Sequence, residues 1–285
     1  MTFLHLEREL RRLGEHNLAD ESERLRRHFA ARGHGKDIAP LSSEVLLSPR
    51  STDAESRQAV LPSLDRLVII AKPRAEIVKA WKKKGFTNCD FFHLTDHQFE
   101  WHGDYPDWDF KPRSWFWQSV EEGKISRDAT RLKEGLIAID TTQKPNSDGG
   151  KQLYKNDPFG DLLRNLRKEG KIQVPERFKK IPETSRFGIT PEELVEYVLP
   201  AIANMLGVHP DRVYLPTEMQ LNIIGNRFHP EWGDKTAWEL LQDRFHESSY
   251  LIGGRSDGAG LSNVDFVEVD GRNDNIGFRP VIDLS

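Results

Sequence analysis

The sequence predicts an α+β protein, and three observations carry that reading. Short apolar runs of strand length recur along the chain, at residues 67–71 and 136–139 and in the YLIGG and FVEV segments. Stretches with helical spacing stand between them, at 75–85, 161–170 and 190–207. Long connections rich in Gly, Pro, Ser and Asn separate the two kinds of element.

In chain order, Phe3, Leu6, Leu10 and Leu13 fall three and four residues apart on one helical face, with Glu7, Arg8, Arg11 and Arg12 elsewhere. Leu18, Leu25 and Phe29 continue in a second short helix. Such a stripe needs a partner, either the body of the chain or a second copy. The basic residues alternate with acidic ones, as on a solvated face. Residues 33–63 form a linker or long surface connection.

The run at 67–71 suits a buried strand, closed by Pro73, and 75–85 a helix stopped by Gly85. Residues 86–118 are rich in aromatics. Phe86, Phe91, Phe92, Phe99, Trp101, Trp108, Trp115 and Trp117 seek a core or an interface, with a groove for a sugar or peptide as the alternative. His93, His97 and His102 are the one cluster with spacing near that of metal ligands, Asp107 and Asp109 lying close by in sequence. A helix over 93–97 would put His93 and His97 on one face, but the segment reads H-L-T-D-H and not H-E-x-x-H.

Residues 136–139 predict a strand and 141–150 a polar turn. The oxygens of Asp148 and Asp157 offer a structural calcium site, although the spacing is not that of an EF-hand and a plain surface turn is the simpler reading. Leu162, Leu163 and Leu166 predict a helix ended by Gly170. In ITPEELVEYVLPAIANMLG, Thr190 and Glu193 form a capping box, and Pro191 takes the first helical position. Leu194, Val198, Ile202 and Leu206 make a buried stripe, and Pro200 should kink or split the helix before Gly207 ends it.

Beyond Arg212, residues 218–224 and 238–245 are expected to be helical, with Trp238 and Phe245 sharing a face. YLIGG, FVEV and NIGFRPVIDL are expected strands, the last bent at Gly277 with Pro280 at an edge or bulge. Gly253 and Gly254 allow close backbone approach. Glu218 or Asp243 would pair with Arg279 in the interior. The pattern divides the chain into N-terminal helices and linker (1–63), a small aromatic-rich α/β segment (64–130) and a core (131–285).

Composition limits the functions on offer. Seven Trp and fifteen Phe argue against disorder, and no apolar run reaches the roughly 18 residues that cross a bilayer. No secretory signal is evident, and a lone cysteine, Cys89, fits a reducing, cytoplasmic setting. A formal net charge of -4 gives no electrostatic case for nucleic-acid or anionic-membrane binding.

The segments RVYLPTEMQLNIIGN, KTAWELLQDRF, YLIGGRS and NDNIGFRPVIDLS, in this order, resemble the core of the formylglycine-generating enzyme (sulfatase-modifying factor) family, a variant of the C-type-lectin fold. The matching residues are Leu215, Pro216, Thr217 and Glu218; Trp238, Glu239, Asp243 and Phe245; Gly253 and Gly254; and Gly277, Phe278 and Arg279. The resemblance implies a C-type-lectin-like core following an N-terminal helical segment, and fold-holding roles for these charges and glycines. It does not carry the activity over, because the copper-binding cysteines of the family have no counterpart in GGRSDGAGLSNVDF. The chain is also similar to the variable proteins of diversity-generating retroelements, which end in an N-x-G-F-R strand and bind ligands through the preceding loops.

That similarity implies a non-catalytic binding protein with no required cofactor. A protein or small-molecule ligand would meet Arg255, Ser256, Asp257, Asn263, Asp265, Arg272, Asn273 and Asn275. The alternative is a metal-dependent oxidoreductase of the same superfamily, with a non-haem iron or similar metal on His93, His97 and His102.

Overall fold

A computed structural model describes residues 61–257 and 259–285; the expected helices and linker of the first 60 residues lie outside it. Its frame is a five-stranded sheet built from β1 (Val68–Ile70), β2 (Cys89–Leu94), β5 (Gly135–Asp140), β6 (Val213–Tyr214) and β11 (Val281–Asp283), in the order β1-β2-β5-β11-β6. All four pairings are antiparallel. A second, four-stranded sheet has the order β10-β7-β8-β9, from β7 (Trp238–Phe245), β8 (Ser249–Gly253), β9 (Val264–Glu268) and β10 (Ile276–Phe278). Two short strands, β3 (His97–Gln98) and β4 (Arg131–Leu132), pair separately. The molecule is therefore α+β. The expected segments 64–130 and 131–285 share one sheet, because β2 runs along β5 for its whole length.

Among the described residues, six α-helical elements pack on these sheets: α1 (Leu64–Leu67), α2 (Ala75–Lys83), α3 (Ser114–Glu121), α4 (Gly160–Lys168), α5 (residues 191–206) and α6 (Glu218–Phe228). The two-residue period of the strands sends alternate side chains into two cores. Phe91, Ala138 and Ile282 join the cluster beneath α2, α4 and α5. Phe92, Ile137 and Val281 join the cluster with α6 and the aromatic segment. Both faces of the large sheet are thus covered. Of the eight Phe and Trp residues singled out at 86–118, six are buried, and Trp101 and Trp115 are half-buried at its margin.

α5 forms as its sequence dictates. Thr190 and Glu193 close a capping box, and Leu194, Val198, Ile202 and Leu206 are all buried, each contributing roughly 1.5–3 kcal/mol. Gly207 ends it at φ 76°, a left-handed turn that a side chain would oppose. The irregularity expected at Pro200 appears as a π-helical stretch, Leu194–Val198, between Pro191–Glu193 and Leu199–Leu206. A proline lacks the N–H that would close the preceding turn, and the wider turn absorbs the defect.

Three expectations change. β1 is an edge strand of three residues, so Ile69 and Ile70 are exposed where a buried strand was expected. Residues 238–245 are a strand, not a helix: Trp238–Leu240 pair in parallel with Ile276–Phe278, and the segment also pairs with β8. Its apolar residues suit either period, and the partner strands decide. The last stretch is two strands, not one. β10 lies in the small sheet and β11 in the large one, with Arg279 and Pro280 at the crossing. Gly277 sits inside β10, where a Cβ would come 2.8 Å from the Tyr154 hydroxyl, so its role is close approach and not a bend.

Candidate recognition surface and the charged core beneath it

Where the two sheets meet, charged side chains are enclosed. Asp140 ends β5, Glu239 lies on β7, and Arg279 and Arg186 come from the β10–β11 crossing and the chain before α5; all four are at most 1% exposed. Arg279 meets Glu239 through Nε (3.2 Å) and Nη2 (2.7 Å), while its Nη1 donates to the Asp140 carbonyl. Arg186 grips Asp157 through Nε at 2.9 Å and Nη2 at 2.8 Å, and its Nη1 reaches Asp140 at 2.5 Å and the Phe278 carbonyl at 3.0 Å. Rings close the site: Arg186 lies 4.2 Å from the Tyr154 centroid and Arg279 4.1 Å from that of Trp232. Burial alone would raise the Asp140 carboxyl, yet Arg186 and then Arg279 hold it below its ordinary range. Glu239 is likewise held low against burial, by Arg279 and then Lys144.

The expected pairing of Arg279 with Glu218 or Asp243 is therefore corrected to Arg279 with Glu239. Glu218 begins α6, with both carboxyl oxygens buried and unpartnered, and its backbone N–H donates to Asp243 at 2.6 Å. Burial, with Asp243 adding to it, pushes the Glu218 carboxyl well up, and burial pushes Asp243 up to about 7.

Above the charged core stands the β8–β9 loop, and its base is pinned. The buried Lys144 ammonium donates to the Gly254 carbonyl at 2.7 Å, and burial pushes that amine down to about 8. Gly254, at φ +79°, takes a conformation that disfavours any side chain. Its N–H donates to the Asn263 carbonyl at 3.1 Å, and the Asn263 amide donates to the Arg255 carbonyl at 3.0 Å. Ser256 N–H donates to the Lys235 carbonyl at 2.9 Å. On this base Arg255 lies 5.7 Å over the Trp238 ring and forks onto Asp257 at 3.0 and 2.5 Å, and that guanidinium lowers the Asp257 carboxyl.

The structure sorts the expected ligand-binding residues. Arg255, Ser256 and Asp257 stand together on this crest. Asp265 is exposed on β9, its carboxylate accepting from Phe266 N–H at 2.9 Å. Asn273 and Asn275 are half-buried, and their carbonyls accept from Gly188 at 2.9 Å and from Trp238 at 2.8 Å, beside the crest. Two residues are corrected. Asn263 is only 4% exposed and braces the loop from inside. Arg272 binds Glu193 through Nη1 and Nη2, at 2.8 and 2.5 Å, and the Gly188 carbonyl at 2.6 Å, tying the β9–β10 loop to the start of α5.

The candidate metal ligands are dispersed. His93 lies exposed on β2, between Ile69 and Leu136. His97 lies on β3, its Nε2 3.3 Å from the Tyr105 hydroxyl and its ring edge-on to Phe99; His102 is exposed in a turn. The segment 93–97 is extended, so the shared helical face does not form. Asp157 is occupied by Arg186. Among the described residues no group of three or more His, Cys, Asp or Glu side chains is arranged to hold a metal ion.

Sequence reasoning missed Asp140, Lys144, Tyr154 and Arg186. A signal exists in hindsight for one of them: Asp140 closes the apolar run GLIAI. Comparison with family models, with characterised proteins and with solved structures returns no match.

Proposed function

We propose that this chain is a non-catalytic recognition protein with a C-type-lectin-like core, binding a protein or small-molecule ligand through the β8–β9 crest and the adjoining 273–275 loop. The observation that carries this reading is the pinned crest. A loop held at its base by Lys144, Gly254 and Asn263 presents Arg255, Ser256 and Asp257 with little entropy left to lose, which is what a preorganised binding surface requires. The lectin-like assignment is supported by the return of β11 to lie antiparallel on β5 after the β7–β8–β9 meander. Of the charged residues at the resemblance positions, Glu239 and Arg279 pair with each other inside the fold.

The test is selection of ligands for the full chain from a displayed peptide library and a glycan array. Selected ligands should weaken about tenfold or more against Arg255→Ala and Asp257→Ala, with thermal melts unchanged. Ligands indifferent to both substitutions would overturn the proposal.

A further inference from the structure

Away from the crest, two departures from regular backbone and an edge strand border one crevice. The π-helical stretch Leu194–Val198 of α5 forms one wall through Val195, with Leu199 and Pro200 following it. β6, at the edge of the large sheet opposite β1, supplies Tyr214. β7 supplies Gln242 and Arg244, where its pairing with β8 shifts register between Leu240 and Arg244. The crevice is open to solvent on one side and holds about 410 Å³, within the range of small-ligand sites. π-turns and β-bulges each sacrifice regular hydrogen bonding and recur at functional sites. Here both face the same space.

The lining has a definite chemistry. Val195 (43% exposed), Leu199 and Pro200 give an apolar wall. Opposite them, Arg244 lies 3.5 Å over the Tyr250 ring, with Nη2 donating to the Tyr250 hydroxyl at 2.6 Å and Nη1 to the Glu247 carbonyl at 3.3 Å. No carboxylate among the described residues pairs with it. Both tyrosines are set as donors. The Gln220 side-chain oxygen accepts from Thr217 N–H in the α6 capping box, so its amide nitrogen donates to Tyr214 at 3.1 Å. Each phenol oxygen thus accepts one N–H and keeps its own proton to give away. Burial raises the Tyr214 phenol to about 12, so that proton stays in place at neutral pH. Asp211 at the rim is turned to solvent, 3.3 Å from His209.

We infer that this crevice is a binding site for an organic carboxylate with an apolar body, its anionic end on Arg244, Tyr214 and Tyr250 and its body against Val195, Leu199 and Pro200. Such a group is either a free acid or the C-terminal residue of a peptide.

The experiment is an NMR titration of the isotope-labelled full chain with 3-phenylpropionate, with neutral 3-phenylpropanol, and with a capped dipeptide ending in phenylalanine. The expected result is saturable shifts at Tyr214, Gln242 and Arg244, with the acid at least about tenfold tighter than the alcohol. Arg244→Gln should erase that preference. Val195→Trp, a change at an exposed position that fills the crevice, should abolish binding of both. A dipeptide tighter than the free acid identifies a chain terminus as the ligand, and the reverse identifies a small molecule. No saturable shift with the acid or the dipeptide up to about 10 mM overturns the inference, as does an acid preference that survives Arg244→Gln or binding that survives Val195→Trp.

Discussion

Two buried acidic regions lie within this fold, and the sequence treats them oppositely. At the meeting of the sheets, Asp140, Asp157 and Glu239 are matched by Arg186, Arg279 and the Lys144 ammonium, and nearly every polar atom has a partner. At the start of α6, Glu218 and Asp243 stand together with no such cation, and both oxygens of Glu218 are unpartnered. In the first region Asp140 and Glu239 are held low against burial, and in the second burial pushes Glu218 and Asp243 up. Burial is common to both, so what separates them is whether a guanidinium is within hydrogen-bond reach.

The largest effect should come from breaking the matched region. Arg186→Met leaves Asp140 and Asp157 buried without their cation and should cost about 3–5 kcal/mol in urea unfolding. Coupling it with Asp140→Asn should recover part of that loss, since the remaining imbalance is smaller. Lys144 sharpens the contrast, being the one weakly held cation of that region. Its folded value of about 8 lies below the ordinary 10.5, so the unfolded chain binds the proton more tightly. The penalty for burying the charged amine is full below pH 8 and fades as pH rises toward 10.5, a span worth about 3 kcal/mol. Wild type should therefore gain stability relative to Lys144→Met across that window, seen in paired denaturant melts at pH 7.5 and about 10.

The unmatched corner should respond with the opposite sign. Folded Glu218 and Asp243 hold protons that the unfolded chain releases from about pH 4 upward. Their contribution is therefore greatest at acid pH and declines as pH rises, through about 7 for Asp243. Glu218→Gln and Asp243→Asn should thus improve relative to wild type between pH 5 and pH 8, by less than Arg186→Met costs. A Glu218→Gln relative stability that stays flat over that interval would mean that Glu218 is already ionised in the fold. The smallest effect belongs to the crest. Arg255→Ala and Asp257→Ala, on half-exposed side chains, should change stability by no more than about 0.5 kcal/mol in the same melts.

What could be read from the sequence was local. α5 was legible because its cap, its stripe and its terminating glycine all lie within one segment. Pro200 signalled an irregularity but not its form. The strand at 238–245 was misread because its apolar residues fit both periods, and the deciding contacts come from residues 249–253 and 276–278. The same distance hid the ion pairs. Arg279 sits 40 residues from Glu239, and Arg186 sits 46 from Asp140, so no spacing rule could link them. For the crest, Arg255, Ser256 and Asp257 were legible as polar loop residues. Asn263 and Arg272 looked the same in sequence, and only their contacts show that they face inward.

The crossing at Arg279 and Pro280 also bears on the order of folding. β10 completes the small sheet beside β7, and β11 fills the place between β5 and β6 in the large one. A nascent chain that has not yet presented residues 276–283 therefore holds two open sheets and a buried-charge site lacking Arg279. Each gap awaits one short segment synthesised more than 130 residues after β5. Such late, long-range closure implies slow folding, with exposed strand edges until it is done.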